Sequence, residues 1–252
     1  HEQFMTLLRE YLVVGGMPEV VNTLLKTNNY QEVHATQKKI MESYREDIKH
    51  YATAASRQKI GECYLSIPRQ LAKEYTKFQY KIVGKEGNAR RYENCLNWLV
   101  DAGMIKLCVN VSTPQFPLVA YEKPDQFKAY VTDIGLLASL YGYDTQAALL
   151  KDTLTGPAKG GIYENLVFDM LTKRGLGLNY FKNDKNTQEI EFLLVRDGAV
   201  IPIEVKSKRG ATVSLNHFME EFAPPYAYKL VAGNVGVSDA KITLPLYMAM
   251  FL

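Results

Sequence analysis

The chain opens with apolar residues at helical spacing, Phe4, Leu7, Leu8, Tyr11 and Leu12, and Gly15-Gly16 then stops the pattern. Pro18 suits the first turn of a second helix, whose apolar face is Val20, Val21, Leu24 and Leu25. Asn28-Asn29 marks a turn. A long polar helix follows from about Tyr30, with Val33, Ile40, Tyr44 and Ile48 on a narrow stripe. Residues 1–52 therefore read as a helical segment.

Helical patterning resumes around Ile60, Tyr64, Leu65, Ile67 and Leu71, breaks at Gly84 to Asn88, and returns from about Ala89 to Gly103. Met104 to Val111 reads as a strand, Ser112 to Pro117 as a turn and Leu118 to Tyr121 as a second strand. Helices followed by a β-hairpin predict a winged helix-turn-helix over residues 53–145, closed by a short helix from Asp133 to Tyr141. The looser stretch from Tyr143 to Gly161 reads as a linker.

Residues 146–252 show helix, strand, strand, strand, helix, strand. Ile162 to Lys173 is the first helix, with Gly175 as its stop. Strands follow at Leu176 to Phe181, Glu189 to Val195 and Ala199 to Lys206, then a helix from Ser214 to Phe222 and a strand from Tyr228 to Val231. The fold class expected is α+β or α/β, in several domains.

Asp197-Gly198 between two apolar runs signals a two-residue type I′ hairpin, in which both central residues take positive φ. That turn sets a register in which Arg196 faces Ala199, Phe192 faces Ile203, Glu191 faces Glu204 and Glu189 faces Lys206. Opposed Cβ atoms lie about 5 Å apart, so three carboxylates and a lysine share one patch. Opposed like charges destabilise a sheet, and a divalent cation offsets them well. Mg²⁺ takes a few carboxylate oxygens together with waters and phosphate oxygens, so Glu191 and Glu204 are candidate Mg²⁺ ligands. With Lys206 beside them, phosphodiester hydrolysis is the chemistry the set suits. The alternative from spacing is an amphipathic hairpin facing water, with Glu189 and Lys206 as a cross-strand ion pair. Pro202 implies an edge strand or a bulge.

Charge adds a second candidate. Between residues 69 and 91 stand Arg69, Lys73, Lys77, Lys81, Lys85, Arg90 and Arg91, opposed by Glu74 and Glu86, with Tyr75, Phe78, Tyr80 and Tyr92 interleaved. Such clustering can contact a phosphate backbone, so DNA is a candidate partner; the alternative is a solvated helix face. Ser207-Lys208-Arg209-Gly210 allows Lys208 the same two readings.

Composition mostly excludes. No run approaches the roughly 18 apolar residues of a membrane helix, and no secretory leader pattern is present. Cys63, Cys95 and Cys108 are odd in number and lack zinc-ligand spacing, which fits a reducing cytoplasm. The four histidines are scattered, and no GxxxxGK[ST] loop occurs for ATP. A start at His1, running straight into an amphipathic helix, reads as the C-terminal piece of a longer polypeptide.

Five motifs carry a resemblance: Gly15-Gly16-Met17-Pro18-Glu19-Val20-Val21, Thr132-Asp133-Ile134-Gly135-Leu136-Leu137, Gly161-Ile162-Tyr163-Glu164-Asn165, Glu189-Ile190-Glu191-Phe192 and Pro202-Ile203-Glu204-Val205-Lys206. Together they resemble the C-terminal domain of unknown function, of PD-(D/E)XK nuclease type, carried by a group of prokaryotic AAA-type ATPases. The resemblance implies a restriction-endonuclease-like αβββαβ domain with Glu164, Glu191, Glu204 and Lys206 as its quartet. It also implies an upstream ATPase core that would bind the ATP, and oligomerisation is open. The family pattern has Asp where Glu191 stands. Because the fold also includes inactive modules, a DNA- or protein-binding regulatory role is the alternative to nuclease activity.

Overall fold

Gly15 ends the first helix, and its reason lies more than a hundred residues away. In the computed structural model, which describes residues 1–73, 76–85, 87–185, 187–207 and 212–252, α1 (Glu2–Val14) gives way to Gly15 at a φ of 73°. A Cβ there would collide with the Asp133 carboxylate, and one on Gly135 would meet the Val14 carbonyl. Asp133 accepts from the Gly16 N–H at 2.8 Å and from the Leu136 N–H at 2.9 Å, so one side chain binds the α1 exit and caps the helix that follows it. Two of the five motifs are thus the two halves of one junction.

This junction belongs to a helical unit, Glu2–Lys106 with Ala129–Ile162. Its helices are α1, α2 (Pro18–Thr27), α3 (Tyr30–Tyr51), α4 (Arg57–Leu71), α5 (Tyr80–Val83), α6 (Ala89–Asp101), α7 (Ile134–Leu140) and α8 (Tyr143–Leu150). Pro18 opens α2, and the Asn29 side chain caps α3 by accepting from the Gln31 N–H at 2.9 Å. The α8 stretch was expected to be a linker. Its helical signal is weak because only Gln146 and Leu149 are buried along it.

The second unit, Leu107–Lys128 with Tyr163–Leu252 and His1, holds a mixed sheet. Strands β1 (Ile105–Val111), β2 (Glu122–Val131), β3 (Asn179–Lys182), β4 (Glu189–Arg196), β5 (Ala199–Lys206), β6 (Ala227–Val231), β7 (Gly236–Ser238) and β8 (Lys241–Pro245) lie in the order β2-β1-β3-β4-β5-β6-β8-β7. The pairs β3–β4 and β4–β5 are antiparallel, whereas β1–β3, β5–β6 and β6–β8 are parallel. Helix α9 (Pro157–Lys173) precedes β3, and α10 (Val213–Phe222) connects β5 to its parallel neighbour β6. The sheet core joins Val111, Phe181, Ile190 and Leu193 to Leu215 and Phe218 of α10, while Phe168 of α9 lies 5.8 Å from the Phe192 ring.

Two expectations change here. Leu118–Tyr121 is a 3₁₀ turn with Leu118 buried and Val119 72 % exposed, and the strand begins after it at Glu122. The polar run Glu122 to Gln126 with Pro124 conceals β2, and an end position in the sheet tolerates that proline. The strand pair expected as a wing stands at the end of the large sheet, with Val109 opposite Asn179 of β3.

Candidate active site

The β4–β5 hairpin forms as its turn predicts. Asp197 and Gly198 have φ of 52° and 76°, and the rungs Arg196–Ala199, Leu193–Pro202 and Phe192–Ile203 pair in that register. Pro202 lies inside this pairing with no shift. Beyond the last rung come Glu191 on β4 and Glu204 on β5.

These two carboxylates bracket one ammonium. Lys206 Nζ lies 3.2 Å from Glu204 Oε1 and 3.5 Å from Glu191 Oε1. The Val205 N–H donates to Glu191 Oε2 at 3.3 Å, so the Glu191 carboxyl group is tied back to β5. Glu204 is 1 % exposed, and its Oε2 has no hydrogen-bond partner among the described residues. Burial pushes the Glu191 carboxyl up to about 7; the charges of Glu164 and Glu204 add to the rise, and Lys206 opposes it. Burial likewise raises Glu204 against the pull of Lys206. Burial alone would lower Lys206, yet the two carboxylates together hold it above the usual lysine value. The hairpin is therefore short of positive charge.

Glu189 behaves differently from the expectation. It makes no pair with Lys206. Its Oε1 lies 2.7 Å from Lys128 Nζ and its Oε2 3.0 Å from Lys182 Nζ. The cause is the other neighbour of β4, because β3 places Lys182 opposite Glu189. Lys128 is fully buried, bonds Glu164 Oε1 at 2.8 Å as well, and sits 4.8 Å from the centre of the Tyr180 ring. Burial opposes charge on Lys128, but Glu164 and Glu189 outweigh it and hold the ammonium well above its normal range. Glu164 is thus within electrostatic reach of Glu191 while in direct contact with a lysine. Lys128 was missed from sequence. The one signal is a charge inside the apolar run Phe127 to Val131, which spacing alone does not connect to residues far along the chain.

A model of a domain of unknown function, DUF8612, matches residues 5–147, more than half of the chain. The chain belongs to the DUF8612 family. A second domain of unknown function, DUF4143, matches residues 159–248. No curated protein and no solved structure gave a match. Glu164, Glu191, Glu204 and Lys206 all fall in the DUF4143 match. Lys128, which holds Glu164 and Glu189, falls in the DUF8612 match. The site therefore draws on both segments.

Do the residues fit a divalent cation? Among the described residues no three His, Cys, Asp or Glu gather as a ligand group, so the candidate is the Glu191–Glu204 pair. An orphaned buried carboxylate oxygen on Glu204 and a Glu191 with raised proton affinity both call for positive charge. Mg²⁺ keeps most of its shell as waters or phosphate oxygens, so two carboxylates are enough. The pair fits.

The basic stretch lies in the DUF8612 segment. Arg69, Lys73, Lys81, Lys85, Arg90 and Arg91 are exposed and Lys77 is half-buried. Among the described residues, Phe78, Tyr80 and Tyr92 do not form a stacking surface. Phe78 and Tyr92 are buried, Tyr92 donates to Glu62 Oε2 at 2.9 Å, and Tyr80 meets Phe78 edge-on. Their spacing serves packing. Lys208, with Glu74, Tyr75 and Glu86, lies outside the described residues. No helix among the described residues is long and apolar enough to cross a membrane.

Proposed function

We propose that the sheet unit is a PD-(D/E)XK-type, Mg²⁺-dependent phosphodiesterase acting on DNA, attached to an upstream AAA-type ATPase core. The observation that carries this reading is the unpartnered Glu204 oxygen beside a charge-deficient Glu191 and Lys206. Element order supports it, since α9, β3, β4, β5, α10 and β6 follow one another as αβββαβ.

Glu191 and Glu204 would hold the ion. When bound, it would polarise the scissile phosphate and acidify the attacking water. Lys206, held between the two carboxylates, presents N–H donors to the water and to the phosphate oxygens as negative charge grows. Val205 fixes the Glu191 carboxyl group through its backbone N–H. Lys128 holds Glu164 and Glu189 in place and keeps their negative charge compensated.

The test is cleavage of plasmid DNA with Mg²⁺ or Mn²⁺. Wild type is expected to cut, and Lys206→Ala to lose about a hundredfold or more of the rate. Equal cutting by both proteins, or none by wild type, sinks the nuclease reading.

A second reading, a catalytically inactive DNA- or protein-binding regulatory module, is favoured by the exposed cations Arg69, Lys73, Arg90 and Arg91 on and beside α4 and α6. Here Arg90→Ala with Arg91→Ala is expected to weaken duplex binding and reduce the slope of log Kd against log salt by about 2. Binding that ignores salt, or an unchanged slope, counts against a phosphate-contacting face.

A further inference from the structure

Two lysines stand beside the candidate active site and take no part in the chemistry assigned to it. Lys229 of β6 is the register partner of Glu204, and Thr243 of β8 is the partner of Lys229. Paired residues share a face of the sheet, so Lys229 points the same way as Glu204. Lys241, two residues before Thr243, shares that face. Ala227, its partner on β6, belongs to one apolar cluster with Leu193 of β4 and with Leu215 and Phe218 of α10, so the face is the one that α10 covers.

Both lysines are half-buried. Lys241 Nζ donates to Asn216 Oδ1, in the first turn of α10, at 3.0 Å. That bond takes one of its three N–H groups, and it makes no ion pair among the described residues. The charges of both lysines reach the site. Burial raises Glu204, and Lys229 and Lys241 oppose that rise together with Lys206. Helix α10 begins at Val213, so its first turn brings the positive end of the helix dipole to the same flank. Strands lie about 4.8 Å apart, and the step from Glu204 over Lys229 to Lys241 is therefore about 10 Å across the sheet. A DNA strand carries a phosphate roughly every 3.4 Å along its axis, so about three phosphates cover that distance.

We propose that Lys229 and Lys241 hold the backbone phosphates next to the scissile one, so that the bound DNA strand runs from Glu191 and Glu204 across β6 and β8. The inference rests on the phosphodiesterase reading and gives the substrate its path over the sheet. Contacts of this kind position a strand without reading its bases.

The test uses the full chain and a labelled DNA duplex. Binding is followed by fluorescence anisotropy in EDTA over a series of salt concentrations, and cleavage is followed with Mg²⁺. Lys229→Met and Lys241→Met are each expected to weaken binding and to reduce the slope of log Kd against log salt by about 1, and the double variant by about 2. In cleavage, KM should rise at least about threefold, with kcat within about twofold of wild type. Absent binding by wild type, unchanged salt slopes, or a lower kcat at unchanged KM would each overturn the inference. A loss of thermal stability that Glu204→Gln restores, with the slopes unchanged, would assign the lysines to charge balance alone and overturn it too. Wild type that binds with these slopes but does not cut keeps the lysine contacts and removes the nuclease reading. Wild type that cuts while both variants keep its slope does the reverse.

Discussion

Lys128→Met is expected to destabilise the sheet unit by about 3–5 kcal/mol, because it removes the buried cation that Glu164 and Glu189 share. Lys128 is 0 % exposed and bonds Glu164 at 2.8 Å and Glu189 at 2.7 Å. Methionine fills a similar volume, so lost packing is a small part of the effect. Glu189 retains Lys182 at 3.0 Å. Urea unfolding followed by circular dichroism should show a lower midpoint with an unchanged slope. Adding Glu164→Gln should restore much of the loss, since Glu189 keeps Lys182 and one uncompensated charge is removed. A shift of the single variant within about 0.5 kcal/mol would show that Lys128 is not compensating those carboxylates.

Glu191→Gln should act in the opposite direction, and only at higher pH. The folded chain holds a proton on Glu191 up to about 7, whereas an ordinary glutamate releases it near 4.5. Between those values the folded state keeps a proton that the unfolded state has lost, so stability falls as pH rises and stays low above 7. Glutamine imitates the protonated form. With EDTA present, the substitution is expected to stabilise by about 2–3 kcal/mol at pH 8 and by almost nothing at pH 4. Millimolar Mg²⁺ should then stabilise wild type at pH 8 and leave Glu191→Gln unaffected. A substitution that destabilises equally at both pH values would contradict a charge-starved Glu191.

What was legible in the sequence was local. Asp197-Gly198 carries its own positive φ, so it specified the β4–β5 rungs and put Glu191, Glu204 and Lys206 at one end of the hairpin. Helices α1, α2 and α9 announced themselves through apolar spacing and glycine or proline ends. What was not legible depended on neighbours distant in the chain. Glu189 has two sides, and the hairpin register describes only the one facing β5; the pairing with β3 sent its carboxylate to Lys182 and Lys128. Strands β7 and β8 are short and half-exposed, and they earn strand geometry only by pairing in the sheet. The aromatic spacing from Phe78 to Tyr92 fits a stacking platform and a packed helix equally well, and burial decides for packing.

Lys128 also bears on how such a protein can be inherited in pieces. The two family matches leave residues 148–158 between them. Recombination there would carry Glu164, Glu189, Glu191, Glu204 and Lys206 to a new neighbour but leave Lys128, with β1 and β2, behind. A descendant of that exchange would lack the 2.8 Å pair that Lys128 makes with Glu164. The two segments are separable as text and interdependent as chemistry, so in related proteins the residue facing Glu164 should travel with it or change with it.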